Sequence, residues 1–465
     1  MALTLGARMS GRLYPKETDI VGDSTLKVLR RVVTGHRGSA SGPATSPGEA
    51  GTTLPTAHAD TPAATVLTEA IPADRYEPLY CLALGAFAVG TEGFMIAAIL
   101  PQIAEDLAVS VQMAGQLVTI FTLVYAVSSP ILTALTGSVH RRKLLIATMG
   151  LFTLGNLVAA SAPGYWSLVL ARILIAVAAG LYGPNANALA GALVPTARRG
   201  RALAIVNGGF SVAVALGVPL GALIGSRLGW RMTFIGVAVL AATALIGLLL
   251  GIPKAAGTGL SAATLKERVA VVGQPAALPA LFVTTLWGVG GYTVYTYIAP
   301  FLATVIEIEG TQIGYVLFCW GASAFVGLFL GGVINDKIGA RRAIIIALPL
   351  MAIALASLSV SAAYAAPSGA LLPVLAAVAV WGMTAWGFFP PQQARLIGIA
   401  GLKNAPIILS LNGSFMYLGF SLGAALGSAT LALGGVSALG WVGAICVVAS
   451  LLLFLVTDPR ARAPA

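Results

Sequence analysis

Charged residues are scarce in this sequence of 465 residues. Asp, Glu, Lys and Arg together make up 9% of the chain, against roughly 25% in an ordinary soluble domain. Hydrophobic residues make up 58%, and the mean hydropathy is +0.91. Because a water-soluble fold cannot hide that much apolar surface, the composition excludes a soluble globular protein.

Cysteine and histidine are also rare, with three of each. Cys81, Cys319 and Cys446 lie in or beside different apolar stretches, without a C-x-x-C pair or a companion histidine. We therefore expect neither a disulfide framework nor a metal site. The sequence also has no phosphate-binding Gly-Lys-Ser/Thr loop, and it predicts no enzymatic activity and no cofactor.

Acidic residues are outnumbered by basic ones, 16 against 27, which makes the net charge +11. The charges at the amino-terminal end of the chain cancel one another, and the excess lies in alternate loops between apolar stretches. The basic residues of those loops are Arg141, Arg142, Lys143, Arg198, Arg199, Arg201, Lys254, Lys266, Arg268, Lys337, Arg341, Arg342, Arg395 and Lys403. This asymmetry follows the positive-inside rule, so it predicts cytoplasmic termini rather than a nucleic-acid-binding surface.

Twelve apolar stretches of about 20 residues follow a polar amino-terminal segment. Residues 1–76 are rich in Gly, Ser, Thr, Ala and Pro, and we predict a disordered cytoplasmic extension. Each later stretch can cross a hydrocarbon core of roughly 30 Å, and lipid requires a helical backbone there. The sequence thus predicts an all-α membrane protein with spans at 79–101, 112–136, 143–162, 166–193, 201–225, 231–252, 277–303, 312–334, 342–363, 371–394, 404–430 and 435–456.

The spans divide into two related halves. We predict six-helix bundles at residues 77–252 and 277–456, joined by a cytoplasmic linker loop at 253–276 and followed by a tail at 457–465. An offset of about 199 to 206 pairs Pro101 with Pro300, Pro184 with Pro390, Asn207 with Asn412 and Gly221 with Gly427. Six spans per half keep the two copies parallel, with a substrate site between them near the middle of the membrane.

Four segments resemble a known family. They read Gly90-Thr91-Glu92-Gly93-Phe94-Met95 with Leu100-Pro101, Leu170-Ala171-Arg172, Gly217-Val218-Pro219-Leu220-Gly221, and Gly332 to Asp336-Lys337 with Gly339 to Arg341-Arg342. With them, residues 79–456 resemble the major facilitator superfamily, and specifically its twelve-span drug:proton antiporter branch. That branch includes chloramphenicol, arabinose-type and purine nucleoside efflux permeases. The resemblance implies the major facilitator fold and alternating access in a bacterial inner membrane.

Glu92 and Arg172 are the charged pair that we expect to couple transport to protons. Glu92 lies about 20 Å into a span entered from one side, and Arg172 about 9 Å into a span entered from the other, so their depths nearly coincide. Desolvation favours a protonated carboxyl group, whereas a nearby guanidinium favours the carboxylate. Changes in their separation can therefore load and release a proton. A static ion pair and a contact between Glu92 and substrate are the alternatives.

The resemblance assigns roles to two further groups. Gly217, Pro219 and Gly221 form an antiporter motif that prevents leak, although ordinary close packing of small residues is an alternative. The cluster at a cytoplasmic turn forms an inner gate, although its basic residues can equally serve topology alone; it comprises Asp336, Lys337, Arg341 and Arg342.

The expected substrate cavity draws on the first and fourth spans of each half, in line with the family arrangement. Its predicted lining is aromatic with a few amides and comprises Phe94, Met95, Tyr182, Asn185, Asn187, Tyr292, Tyr295, Trp381, Trp386, Gln392 and Gln393. Such a lining suits a lipophilic or amphiphilic solute.

The sequence therefore predicts a monomeric, proton-coupled exporter of a small organic solute, such as a phenicol-like drug. Its predicted partners are the solute, protons and the lipid bilayer, without nucleic acid. Sugar or purine nucleoside efflux, a proton-independent facilitator or importer, and a solute sensor that does not transport remain open alternatives.

Overall fold

The secondary structure consists of helices and turns, with no β-strand, throughout the part described by the computed structural model, residues 76–257 and 263–458. Within these ranges twelve helical segments are long and apolar enough to cross a membrane, which confirms the predicted number. The uninterrupted spans are span 1 Glu77–Asp106, span 2 Val111–Leu135, span 3 Arg141–Ala160, span 4 Tyr165–Ala192, span 6 Trp230–Gly251, span 8 Thr311–Ile338, span 9 Ala340–Tyr364, span 11 Ala405–Gly434 and span 12 Val436–Thr457. The predicted amino-terminal extension up to residue 75 and the tail from 459 lie outside the described residues.

Three spans are interrupted where proline removes a backbone donor. Span 5 consists of Arg199–Val212 and Val218–Leu228 joined by the π-helical turn Ala213–Gly217, just before Pro219. Span 7 consists of Ala277–Tyr295 and Ile298–Val305, with Pro300 unable to donate back across the break. Span 10 consists of Pro367–Gly387 and Phe389–Ala400, with Pro390 and Pro391 at the start of the second helix.

The predicted linker loop contains a short helix, Leu265–Val272. Thr264 and Glu267 form its capping box, in which the Glu267 carboxylate accepts from the Thr264 backbone N–H at 2.7 Å. The helix packs on spans 2, 7 and 11, and Arg268 Nη1 donates to Ser410 Oγ at 3.1 Å.

Within each half, successive spans alternate in direction because short turns join them. We call the side at which span 1 begins the Tyr76 side and the opposite side the Leu107 side. Within the first half, span 1 packs on spans 5 and 6, span 3 on spans 4 and 6, and span 2 on span 4. The second half repeats this plan, with span 7 on spans 11 and 12, span 9 on spans 10 and 12, and span 8 on span 10.

Small residues allow spans 1 and 5 to approach closely. On span 5 the small residues recur every fourth position and face span 1; they are Gly209, Ala213, Gly217, Gly221 and Gly225. A Cβ built on Gly221 would lie 2.8 Å from Met95 Cβ, and one on Gly217 would overlap the Thr91 hydroxyl. In the second half, Cβ atoms on Gly423 and Gly427 of span 11 would lie 2.5 and 2.6 Å from carbonyl oxygens of span 7.

The two halves meet along spans 2 and 11 and along spans 5 and 8. Three hydroxyl groups connect them towards the Leu107 side: Ser428 Oγ to Gln112 O at 3.4 Å, Ser421 Oγ to Thr119 O at 3.0 Å, and Ser226 Oγ to Thr311 Oγ1 at 3.3 Å. Nearer the Tyr76 side, Tyr125 and Tyr417 stack with ring centroids 3.6 Å apart.

Candidate transport site

A fully buried ion pair lies between spans 1 and 4. Arg172 Nη1 donates to Glu92 Oε1, and both side chains have 0% exposure. The Arg172 guanidinium also lies over the Phe121 ring of span 2, with Cζ 4.1 Å from its centroid. Within the described residues, Glu92 Oε2 and two guanidinium nitrogens of Arg172, Nε and Nη2, have no hydrogen-bond partner. One hydrogen bond therefore holds the pair, and Glu92 and Arg172 each keep unused hydrogen-bonding capacity.

Glu92 differs from every other acid in the described part of the chain. Only Glu92 and Asp458 are buried acids there, and Asp458 follows the end of span 12. A carboxylate without a partner in a low-dielectric interior is costly, but a carboxyl group can become neutral by taking up a proton. A guanidinium cannot be neutralised in this way. The chemistry available to the pair is thus uptake of a proton at Glu92 when Arg172 withdraws.

A small cavity of about 20 Å³ lies among aromatic side chains next to this pair. Phe94, two residues beyond Glu92, is its only lining residue from the first half, within the part of the chain that the structure describes. The rest come from spans 7 to 11 and are Trp287, Gly288, Gly291, Tyr292, Tyr295, Trp320, Met351, Trp381, Ala385, Trp386 and Phe420. The cavity is therefore built mainly by the second half, and the ion pair belongs to the first.

Phe94 connects the ion pair to the cavity. Its carbonyl oxygen accepts a hydrogen bond from Tyr295 Oη at 3.0 Å. Its ring packs on aromatic rings of spans 7, 8, 10 and 11 with centroid distances of 5.8 to 6.4 Å. Phe94 therefore places span 1 in direct contact with the cavity wall, two residues from Glu92.

The structure brings five of the eleven predicted cavity residues to the lining: Phe94, Tyr292, Tyr295, Trp381 and Trp386. The other six lie elsewhere. Met95 packs against span 5, Tyr182 Oη donates to Leu82 O at 2.9 Å, and Asn185 Nδ2 donates to Leu181 O at 2.7 Å. The remaining three are Asn187, which donates to Asn207 Oδ1 at 3.3 Å, the buried Gln392 and the half-buried Gln393.

Gln392 takes part in a buried polar network that joins spans 7, 10 and 11. Its Nε2 donates to Ala280 O at 2.7 Å and to Thr284 Oγ1 at 3.0 Å, and Thr284 Oγ1 donates to Asn412 Oδ1 at 2.7 Å. Gln392, Thr284 and Asn412 have 0% exposure. This amide therefore ties helices of the second half together.

The sequence analysis did not single out four large lining residues, Trp287, Trp320, Met351 and Phe420. A signal for Trp287 was available, because Trp287, Gly291 and Tyr295 recur every fourth residue on one face of span 7. Trp320 and Phe420 lie on spans 8 and 11, and no local pattern distinguishes them from core aromatics. Their place in the lining follows from how those spans pack.

The predicted gate residues lie on the Tyr76 side but do not form one cluster. Asp336 is exposed and accepts from the neighbouring Asn335 Nδ2 at 3.3 Å. Arg341 Nε instead donates to Asp458 Oδ2 at 2.8 Å, while Lys337 and Arg342 are exposed. In the residues described, no ion pair joins Asp336 to these basic side chains. The segment predicted to be an antiporter motif contains Pro219 and lies at the π turn, where Gly217 and Gly221 face span 1.

Comparisons with known proteins agree with this architecture. The sequence model of the Major Facilitator Superfamily matches residues 82–397 and again residues 280–465. The second match starts 198 residues after the first, close to the offset of 199 that relates the two halves. The "Uncharacterized MFS-type transporter YbcL" of Bacillus subtilis (strain 168) is 35% identical over 381 residues, which cover 81% of this chain and 95% of that protein.

Two other relatives carry descriptive names. The "Inner membrane transport protein YdhP" of Escherichia coli (strain K12) is 33% identical over 391 residues, covering 83% of this chain and 97% of that protein. The "Chloramphenicol resistance protein" of Streptomyces lividans is 35% identical over 264 residues, covering 56% of this chain and 67% of that protein. With twelve apolar helices and these matches, the chain is a multi-pass inner-membrane transporter rather than an enzyme, and it belongs to the major facilitator superfamily.

Proposed function

We propose that this transporter exports a small organic solute in exchange for protons, and that Glu92 and Arg172 couple the two movements. One observation carries the proposal: Glu92 is the buried acid of the described spans, and it lies two residues from Phe94 in the cavity wall. A proton taken up by Glu92 removes its attraction to Arg172 and frees span 1 to move relative to span 4. Phe94 transmits that movement to the second half.

Alternating access then requires the two six-helix halves to rock about the cavity. The hydroxyl contacts between halves lie towards the Leu107 side, where Ser428 meets span 2 and Ser226 meets Thr311. If the Tyr76 side is cytoplasmic, as the basic loops predict, this conformer is closed towards the outside.

The gate residues and the antiporter motif fit the same cycle. Asp336 is exposed in this conformer and is free to meet Arg341 or Arg342 when the Tyr76 side closes. The tight contact of Gly217 and Gly221 packs span 5 closely on span 1, and such packing opposes proton leak between the two helices. We therefore propose a gating role for the first group and a sealing role for the second.

For the cargo we propose a phenicol-like drug. The support is an apolar aromatic cavity together with the similarity to a chloramphenicol resistance protein. Sugar or purine nucleoside efflux is less compatible with the lining, because the hydroxyl groups of those molecules need many polar partners, whereas rings dominate this cavity.

The test is chloramphenicol flux in inverted membrane vesicles, with and without an uncoupler. The parent should accumulate the drug only while a proton gradient exists, and Glu92→Gln should lower the initial rate at least tenfold. Glu105→Gln is the matched control, because Glu105 lies on the same helix but is exposed.

Each outcome decides a different part of the proposal. Uptake that ignores the uncoupler would identify a facilitator. Uncoupler-sensitive uptake that survives Glu92→Gln would move the proton site elsewhere, with Asp336 as the next candidate. Absence of chloramphenicol uptake, while another solute is transported in a proton-dependent way, would reject the proposed cargo and leave the coupling intact.

A further inference from the structure

The linker helix Leu265–Val272 has one face packed on the membrane spans and one apolar face that is exposed. Arg268 and Val271, on the packed face, are 5% and 3% exposed. Leu265 and Val269 lie four residues apart and therefore share a different face, where they are 54% and 63% exposed. Two large apolar side chains of this short helix thus project away from the protein.

The helix lies at the depth where a bilayer changes from headgroups to acyl chains. Span 11 has 30 residues, which at 1.5 Å per residue make about 45 Å. A hydrocarbon core of roughly 30 Å, centred on that span, leaves about 7 Å, or about five residues, outside it at each end. Ser410 therefore lies close to the boundary on the Tyr76 side, and it accepts the hydrogen bond that Arg268 Nη1 donates at 3.1 Å. This contact holds the linker helix at the same boundary.

The start of span 11 brings a third exposed apolar side chain towards this helix. Leu402 is 86% exposed and lies in the short turn that precedes span 11. Its neighbour Lys403 lies close enough to act on the helix, because the pKa of the Glu267 carboxyl group is lowered by hydrogen bonds from Thr264 and also by the positive charge of Lys403. Leu402 and Lys403 therefore belong to the surroundings of the linker helix.

Basic groups accompany the apolar side chains. Lys266 and Lys403 are both exposed, and no salt bridge in the described part of the chain involves either ammonium group. Helices that lie in a membrane interface have this composition, with apolar side chains among the acyl chains and basic side chains at the phosphates. An anionic leaflet attracts lysine side chains at its surface.

We propose that Leu265, Val269 and Leu402 insert into the Tyr76-side leaflet and that Lys266 and Lys403 bind the headgroup phosphate of an anionic phospholipid there. Lipid is the occupant, rather than a second copy of the chain or a protein partner, because this surface lies at the hydrocarbon boundary and carries the charge that complements an anionic leaflet. The helix packs on span 2 of one half and on spans 7 and 11 of the other, so the lipid binds where the halves meet.

The test places a bimane fluorophore on single cysteines of the full-length protein, in a chain whose Cys81, Cys319 and Cys446 are replaced by serine. The protein is reconstituted in nanodiscs of equal parts phosphatidylcholine and phosphatidylglycerol. A trace of either lipid, with a nitroxide high on its acyl chain, quenches a fluorophore that it contacts. Labels at Leu265→Cys and Val269→Cys should be quenched about twofold or more above the label at Ala270→Cys, because Ala270 is exposed on another face of the same helix.

The choice of nitroxide lipid tests the phosphate contact. The phosphatidylglycerol nitroxide should quench the Leu265→Cys label about twofold or more above the phosphatidylcholine nitroxide. Lys266→Gln combined with Lys403→Gln should abolish that preference. A label at Leu433→Cys is the matched control, because Leu433 is 90% exposed at the other end of span 11 and residues 423–443 include no basic residue. Both nitroxide lipids should quench it equally.

Each contrary outcome rejects the inference. Equal quenching at Val269 and Ala270 would place this face outside the lipid, and equal quenching of the Leu265→Cys label by the two nitroxide lipids would exclude a selective anionic site. A preference that survives the double lysine variant would exclude these two lysines as its ligands. If the double variant fails to fold, Lys266→Gln and Lys403→Gln are measured singly and should each weaken the preference. None of these measurements involves transport, so they stand whatever the flux experiments show.

Discussion

Tyr295 of span 7 donates a hydrogen bond from Oη to the carbonyl oxygen of Phe94 in span 1, at 3.0 Å. Their rings also meet edge to face, with centroids 5.8 Å apart. Because Glu92 lies two residues before Phe94, this contact joins the ion pair of one half to the cavity of the other. This hydrogen bond therefore connects span 1 to span 7 beside both the ion pair and the cavity.

We predict that Tyr295→Phe weakens coupling more than it weakens folding. The change removes one buried hydrogen bond, worth about 1 kcal/mol, and keeps the ring contact. Measured in inverted vesicles, drug accumulated per proton should fall severalfold while the thermal midpoint drops only a few degrees. Tyr315→Phe, at an exposed tyrosine of span 8, is the control. An unchanged ratio of drug to proton would contradict the proposed connection.

Replacement of Glu92 and replacement of Arg172 should destabilise the protein to different extents. Arg172→Gln leaves a buried carboxyl group that can take up a proton, whereas Glu92→Gln leaves a buried guanidinium that cannot lose one. An uncompensated buried charge costs about 3–5 kcal/mol. We expect Glu92→Gln to lower the thermal midpoint in detergent clearly more than Arg172→Gln does.

The double variant supplies the internal control for that comparison. With both groups replaced, neither charge of the pair remains buried, so stability should recover above that of Glu92→Gln alone. Equal losses for the two single variants, with no recovery in the double variant, would mean that the pair is not a simple charge pair.

Gly217→Ala should destabilise the contact between spans 1 and 5. The added methyl group would overlap the Thr91 hydroxyl and approach Thr91 Cγ2 at 3.1 Å. Overpacking of this kind costs about 1–3 kcal/mol, and thermal unfolding measures it. Thr91→Ala in the same chain should restore part of the loss, because it removes both atoms. Gly413→Ala, on a helix position with open space, should have no harmful effect.

The linker helix Leu265–Val272 should loosen in acid. Hydrogen bonds from the Thr264 backbone N–H and hydroxyl lower the pKa of the Glu267 carboxyl group, so the carboxylate stabilises the cap. That contribution is complete above the unfolded-state pKa of about 4.3, and it is lost as the pH falls through the lower folded-state value. A nitroxide at Ala270, read by electron paramagnetic resonance, should become mobile over that range.

Substitution at the cap tests the same helix at neutral pH. Thr264→Ala should mobilise the label at pH 7, and Thr264→Ser, which keeps a hydroxyl acceptor, should not. A label that stays immobile in Thr264→Ala would show that packing on spans 2, 7 and 11 is enough to hold the helix.

The local sequence pattern predicted the spans and the family motifs well, and it predicted the helix breaks and the cavity lining poorly. The number of spans and the family motifs follow from runs of apolar residues and from short segments such as Gly217 to Gly221. Pro300 and Pro390 indicate breaks in spans 7 and 10. The sequence analysis nevertheless predicted continuous helices there, and that prediction was wrong. The cavity lining followed the prediction only where the residues lie on span 7 or span 10 or next to Glu92.

Hydropathy acts along the chain, so the sequence alone determined that twelve helices cross a membrane and that Glu92 and Arg172 lie inside two of them. Lipid cannot satisfy a bare backbone, and this constraint requires no knowledge of neighbouring helices. The tertiary structure alone decided that Arg172 reaches Glu92, that Trp320 and Phe420 join the cavity, and that Gln392 leaves it for Thr284 and Ala280. Those outcomes depend on how whole helices rotate and cross. Close contacts between glycines of one helix and carbonyl groups of another set that rotation and crossing.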